Sequence, residues 1–438
     1  MRILSADFGT TSVKLSILDE ELSILRAHKQ EYNYQVEGRR VQIDPDVVFR
    51  AFVDGISVFG DALRTIDVLS LCVLCPSLIA MDSEGRPLYP AIIHLDRRSS
   101  AQSRRALHIV GKKRFLEING NLPFPGGISL TSIMWIKQHH PSLYDETFCF
   151  GHMNTFLHRL FTDRFVIDPT NASFTGLYET LTWGGWSEAL CQELGIERAK
   201  LPHIVSSDEV VGTLTERAAR MTGLRGGVPV VMGSNDTSHA ALGAGAVGNG
   251  SILNVSGSNE IITITTDRPI PHEKVYLRTH AVRGRWLVLA ITVGGGALEW
   301  FRREFYRDMD KKKFYEGYLP EFVTERFQKT VVRFAPYLAG DRHSISQKNA
   351  SFRGITLEST REDFLAALLA GIFEPIHLVL DIYGKKVSLQ KEVILTGGMV
   401  DKAYLEFKRR QFKEFTFKRI NECSTLGNGK MALMALRI

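Results

Sequence analysis

The sequence predicts an α/β protein of two similar halves, each opening on a glycine-turned β-hairpin. Three observations carry this expectation: a length of 438 residues, a hairpin pattern at the N-terminus, and the same pattern again from Ser251. The length exceeds what one hydrophobic core serves and suits two domains of about 200 residues each. The expected division is 1–243 and 244–438.

The first hairpin runs through Arg2-Ile3-Leu4-Ser5-Ala6-Asp7-Phe8, the turn Gly9-Thr10-Thr11-Ser12, and Val13 to Leu18. Val13, Leu15 and Ile17 alternate with Lys14 and Ser16, the period of a strand. Asp19 to Glu21 makes a turn, and Leu22 to Ala27 supplies a third strand. A P-loop or dinucleotide fingerprint follows its glycines with a helix. Here the glycine turn joins two strands, which excludes both.

The second half repeats the plan, with Ser251 to Val255 as a strand, Ser256 to Asn259 as the turn and Glu260 to Thr265 as a strand. Leu365, Leu368, Leu369, Ile372 and Phe373 recur at helical spacing behind a start at Ser359 or Thr360, with Glu362 and Asp363 in the first turn. Two such hairpins facing one another across a cleft would offer backbone N–H groups and hydroxyls to a chain of phosphates, because glycine permits close approach and turn amides form anion nests.

Composition narrows the partners. Hydrophobic content of 44% and charged content of 23% are ordinary for globular chains. The net charge of +6 is spread over pairs such as Arg39-Arg40 and Arg104-Arg105, with acidic residues among them. That pattern lacks the clustered basic, aromatic-bearing face of a nucleic-acid binder. Five cysteines are no disulfide scaffold. Cys72 and Cys75 lie in an apolar run with no second cysteine pair to complete a zinc site, so they read as buried strand cysteines. The N-terminus shows no signal-like segment, and no uninterrupted apolar run reaches the roughly 18 residues of a membrane helix. A cytoplasmic protein without membrane or nucleic-acid partners is expected. Oligomeric state stays open, a homodimer included.

Over nearly its whole length the chain resembles the FGGY family of carbohydrate kinases, with xylulokinase-like members closest in spacing. The resemblance rests on an ordered series: Asp7 to Lys14, Pro90 to Arg98, Gly233-Ser234-Asn235-Asp236, Ser256-Gly257-Ser258, Gly294 to Trp300, part of Ala350 to Ala370, and Ile394-Leu395-Thr396-Gly397-Gly398. It implies a two-domain fold of the actin-like, ribonuclease H-like ATPase type, ATP and Mg²⁺ as cofactors, and a small sugar or polyol as substrate. The chain departs from the family at Leu74-Cys75-Pro76, where xylulokinases carry Gln-Met-His. It departs again at Ser256-Gly257, where Gly-Thr is usual.

By the same resemblance Asp236 is the general base, although an aspartate there could instead cap the helix from Thr237 to Gly245. Asp7 would hold Mg²⁺ through water, or be a turn-stabilising residue. Gly9, Thr10 and Thr11 would donate to phosphate, with Lys14 either adding charge or simply solvated. Gly257 and Ser258 would face the phosphates from the second half. Gly295, Gly397, Gly398 and Lys402 belong to the expected nucleotide side. On the substrate side stand Asp96, locked by Arg98 or open to hydroxyls, together with Leu74, Cys75, Asp236 and Thr237. The less polar Leu74-Cys75-Pro76 wall suggests a smaller, deoxygenated or otherwise different polyol. The rival readings are a nucleotide- or sugar-binding sensor and a phosphotransferase acting on carboxylates.

Overall fold

The structure, a computed structural model, describes residues 1–398 and 402–438; the side chain of Lys402 lies outside the described residues. The chain forms two compact units. One comprises Met1–Val247, Asp267–Leu287 and Glu422–Ile438; the other comprises Gly248–Thr266 and Val288–Asn421. The first unit therefore takes back two later segments that a single division at 243/244 would assign to the second half. The reason is apolar. Met431 and Ala432 of the C-terminal helix (Cys423–Leu436) share one core with Ile3, Leu18, Val68, Val231 and Leu242.

The first unit is built on a six-stranded sheet. Its strands are β1 (Ile3–Phe8), β2 (Ser12–Leu18), β3 (Ile24–Glu31), β4 (Val68–Val73), β5 (Val210–Thr213) and β6 (Pro229–Asn235), in the order β5-β6-β4-β1-β2-β3. β1 pairs antiparallel with β2, as the hairpin pattern predicts, and parallel with β4. All of β1 and β4 is buried, because helices cover both faces of a central parallel strand. One face packs against helix α1 (Pro45–Ser57), where Phe49 and Phe52 meet Phe8 and Phe161. β6 leads directly into helix α2 (Asp236–Ala244).

The second unit repeats the plan. β7 (Ile252–Ser256), β8 (Asn259–Thr266), β9 (Trp286–Val293), β10 (Glu392–Thr396) and β11 (Thr416–Arg419) run in the order β9-β8-β7-β10-β11. β7 pairs antiparallel with β8 and parallel with β10. This is the arrangement of β3-β2-β1-β4-β6, so the duplication read from two hairpins extends to strand order. Helices α3 (Gly295–Phe305), α4 (Arg361–Gly384) and α5 (Lys402–Gln411) complete the unit. α4 starts at Thr360 through a capping box with Asp363. By length and composition α4 could cross a membrane. Its apolar side chains, Leu365, Leu368, Leu369, Ile372 and Phe373 among them, are instead buried in the unit.

One contact in the first unit allows no side chain at all. A Cβ on Gly427 of the C-terminal helix would lie 2.0 Å from the His239 carbonyl oxygen of α2, and one on Gly243 would lie 1.8 Å from that of Cys423. The two helices touch backbone to backbone. Replacing Gly427 by Leu should cost about 3 kcal/mol through forced separation of the helices, read as a lowered thermal midpoint by circular dichroism. An unchanged midpoint would show that this contact is dispensable.

Candidate active site

Asp7 stands near the end of β1, opposite Lys14 on β2 and beside Cys72 on β4. Residues directly opposed in an antiparallel pair share a face, so the exposed Lys14 flanks the buried Asp7. Asp7 Oδ2 accepts from the Ser424 hydroxyl at 2.7 Å, and Oδ1 from the Cys72 thiol at 3.4 Å. Both donors are neutral, so the carboxylate keeps its charge uncompensated by direct contact. Just beyond, the Gly9 N–H donates to the Ser12 carbonyl at 2.9 Å, and the Tyr32 hydroxyl to the Gly9 carbonyl at 2.5 Å. Thr10 and Thr11 form the tip of this braced turn, with Thr11 exposed.

Asp236 enters where β6 becomes α2. Asn235, not Asp236, caps the helix: its side-chain oxygen accepts from the Ser238 N–H at 3.0 Å. That settles the capping alternative and leaves Asp236 in the first helical position. Its Oδ1 accepts from the Thr237 N–H at 2.6 Å and the Thr237 hydroxyl at 3.1 Å, while Oδ2 accepts no hydrogen bond among the described residues. Thr237 thus serves Asp236. The carboxylate is only partly exposed. Burial raises its pKa above the ordinary carboxylate value against the pull of Arg278, and the charge of Asp7 adds to the rise.

Arg278 is a residue the sequence did not single out. It returns to this site from the short strand Tyr276–Thr279, far along the chain, and is 3% exposed. Its Nη1 donates to Asn235 Oδ1 at 2.8 Å, and its guanidinium lies 4.4 Å from the centre of the Phe174 ring. Burial lowers its pKa to about 10, so it remains a cation. Cys75 proves to lie in the bend after β4 rather than on the strand. Its Sγ is 3.7 Å from His152 Nδ1, and His152 Nε2 is 2.8 Å from the Ser129 hydroxyl. Burial pulls His152 down to about 4 and pushes the Cys75 thiol up, so both are neutral near pH 7.

The other expected substrate residues behave differently. Leu74 is 1% exposed and belongs to the hydrophobic core, so it lines no open wall. Asp96 is completely buried. Its Oδ1 accepts from the Arg98 N–H at 2.9 Å and its Oδ2 from the Val41 N–H at 2.6 Å, with the Arg98 guanidinium at 2.8 Å. Both oxygens are spent inside the protein, which is the locking arrangement.

In the second unit the β7–β8 turn is held by the start of α3. The Gly295 N–H donates to the Gly257 carbonyl at 2.9 Å, and those of Gly294 and Gly296 donate to Ser258 at 2.9 and 3.0 Å. Gly397, with φ of +108°, comes so close that a Cβ would lie 2.2 Å from the Ser256 carbonyl oxygen. Gly257, Ser258, Gly295 and Gly397 therefore converge on one turn, and exposed Gly398 follows Gly397. Beneath the turn lies a second residue the sequence did not reveal. Lys408 of α5, buried, donates to Asn254 Oδ1 at 2.6 Å, to Glu260 Oε2 at 3.0 Å and to the Ser256 hydroxyl. In the run Lys408-Arg409-Arg410 nothing local marks it as buried; the available signal was Glu260, a carboxylate inside an apolar strand.

Comparison with known proteins fits these features. Residues 2–243 match the FGGY family of carbohydrate kinases, N-terminal domain. A xylulose kinase of Staphylococcus epidermidis is 26% identical over 406 residues, covering 90% of this chain and 80% of that protein. A gluconokinase of Bacillus licheniformis is 24% identical over 390 residues, 86% of this chain and 76% of its own length. The solved structure of ligand-bound xylulose kinase from Lactobacillus acidophilus superposes with a TM-score of 0.89 at 19% identity, covering 100% of this chain and 89% of that one.

The buried pair under the second turn makes a clean test. Lys408→Met strands Glu260 as an unpaired buried charge and should cost about 3–5 kcal/mol. The double replacement with Glu260→Leu should recover most of that in chemical denaturation. Equal losses in single and double variants would mean that packing, not charge, holds the turn.

Proposed function

The chain belongs to the FGGY family of carbohydrate kinases, and we propose that it transfers the γ-phosphoryl group of ATP to a hydroxyl of a small sugar or polyol, with Asp236 as general base. The observation that carries this reading is Asp236 itself: a carboxylate with raised pKa, freed from capping duty by Asn235, with one oxygen that accepts no hydrogen bond among the described residues and with Asp7 within electrostatic reach.

Phosphoryl transfer asks a protein mainly for positioning and charge stabilisation. The substrate hydroxyl gives its proton to Asp236 as its oxygen bonds to the γ-phosphorus. The bond from phosphorus to the β-phosphate oxygen breaks, and ADP leaves. Gly9, Thr10, Thr11 and Lys14 would receive phosphate oxygens at the first turn. Gly257 and Ser258 would do so at the second, with Gly295 at the start of α3 holding that turn in place. Gly397 and Gly398 would leave room for the adenosine moiety, with Lys402 beside it.

Asp7 suits Mg²⁺ in its usual form, a hydrated ion held by one or two carboxylates and by phosphates. When bound, the ion neutralises phosphate charge. The substrate class draws support from relatives named for acting on xylulose and gluconate. Cys75 and His152, both neutral, would give the acceptor pocket a weakly polar wall. ATP as donor supports a cytoplasmic location for the proposed reaction.

Replacing Asp236 by Asn should lower kcat by about 10²–10⁴-fold with the fold intact, measured as acceptor-dependent ADP release. Retained turnover would remove the assignment. Because the base must be ionised and its pKa is raised, kcat/KM should fall with acidification through a midpoint above the ordinary aspartate value of about 3.9. A profile flat down to that value would contradict Asp236 as the base.

A further inference from the structure

We infer that Arg278 is a specificity-determining residue that receives a carboxylate of the acceptor substrate, so that the preferred acceptor is a polyhydroxylated acid rather than a neutral polyol. This inference rests on the kinase reading of the same site.

The argument begins with charge. Taking a guanidinium out of water is unfavourable unless an anion and hydrogen-bond acceptors replace the water. Two other buried cations of this protein obey that rule. Arg98 meets Asp96 at 2.8 Å, and Lys408 meets Glu260 at 3.0 Å. Arg278 is as deeply buried, at 3% exposure, yet among the described residues it forms no ion pair. Among the described residues its side chain donates one hydrogen bond, to the neutral amide oxygen of Asn235, and its buried Nε meets no acceptor. The Phe174 ring, its centre 4.4 Å away, packs against the guanidinium without neutralising it. A rigid, planar, partly unsatisfied guanidinium is the geometry that binds a carboxylate by two parallel hydrogen bonds.

The nearby acids do not fill the vacancy. Asp168 is buried and already accepts from Asn154, Thr170 and Asn171. Asp236 accepts from Thr237 and feels Arg278 only through space. Its proposed work as a base also requires an oxygen free for the substrate hydroxyl.

Placement tells which anion belongs there. Arg278 is bonded to Asn235 at the end of β6, and β4 lies between β6 and β1 in the sheet. Asp7 and the first glycine turn belong to β1, about two strand spacings or 10 Å away. Cys75, Asp236 and Asp168 are among the groups that share the field of Arg278. The cation thus stands on the acceptor side of Asp236, away from the turn that would hold the triphosphate. A carboxylate on Arg278 with a hydroxyl at Asp236 defines an acid whose reactive hydroxyl sits some carbons from its carboxyl group.

The experiment compares matched acceptors, five- and six-carbon aldonates against the alditols of the same length, by ADP release with wild type, Arg278→Gln and Arg278→Lys. Calorimetric binding of each acceptor is measured in parallel. Wild type should favour an aldonate by at least about tenfold in kcat/KM. Arg278→Gln should lose about 10²-fold for the acid, chiefly in KM, and far less for the alditol; Arg278→Lys should fall between. The wild-type comparison and the lysine variant stand even if the glutamine variant folds poorly. Preference for neutral acceptors would overturn the inference while leaving the kinase reading. So would an equal fall in kcat for acid and alditol, which would place Arg278 on the transferring phosphoryl group. Acids that bind wild type but not Arg278→Gln, with neither acid nor alditol phosphorylated, would keep the role of Arg278 and remove the kinase reading. Neither binding nor turnover of any acid would remove the inference.

Discussion

The first unit depends on two helices meeting without side chains between them. Helix pairs in proteins usually keep their axes 8–10 Å apart because side chains fill the space. Here Gly243 and Gly427 each face a carbonyl oxygen of the partner helix. What this contact positions is chemical. Helix α2 begins with Asp236, and the C-terminal helix begins beside Ser424, whose hydroxyl holds Asp7. Asn428, one residue past Gly427, donates to Ser5 on β1 and accepts from Ser70 on β4. The last helix of the chain therefore ties the first strand to the helix that bears the candidate base. The spacing of two carboxylates is thus set by backbone contact, which has little freedom to relax.

The two glycine turns share a topology but not a means of support. The first is braced by neutral hydrogen bonds, from Tyr32 to Gly9 and from Gly9 to Ser12. The second is anchored from above by the α3 N-terminus and from below by the buried Lys408–Glu260 pair. A buried ion pair is seldom the most stable filling for its site, but it is directional. Lys408 holds Asn254, Ser256 and Glu260 at once and so fixes both strands flanking Gly257 and Ser258. The Ser256 hydroxyl is one of the groups this lysine uses, so the turn sequence and the buried lysine form one structural solution.

How much of this was legible in the sequence follows the range of the interactions. Both hairpins, the Thr360 cap and the turn leading to Asp236 are local, encoded in strand alternation, glycine position and capping residues, and they were readable. Arg278 and Lys408 were not, because each sits in an unremarkable segment and gains meaning only from residues more than 40 positions away, Asn235 and Glu260. Leu74 and Cys75 show a subtler limit. Adjacent in sequence, one enters the core and the other borders the site, since the chain bends after Val73 and alternation no longer decides the facing. Asp96 was ambiguous for a related reason: a carboxylate beside an arginine reads alike whether it locks a loop or awaits a ligand. Only the count of occupied oxygens tells them apart.

The same counting gives the site its electrostatic logic. Asp236 lies between an anion, Asp7, and a cation, Arg278, which push its pKa in opposite directions while burial pushes it up. A base in that position is sensitive to what binds on either side. A cation at Asp7 would weaken the first influence, and an anion at Arg278 would weaken the second. Neutralising Asp7 alone would make Asp236 a weaker base, and neutralising Arg278 alone a stronger one. Loaded together, the two partners would act in opposite senses, and burial and the Thr237 hydrogen bonds would remain as the other influences on the carboxylate. For the proposed base, an arrangement of this kind would tie its strength to occupancy on both sides without any moving part, because the charges that tune it are the ones that the proposed ligands would cover.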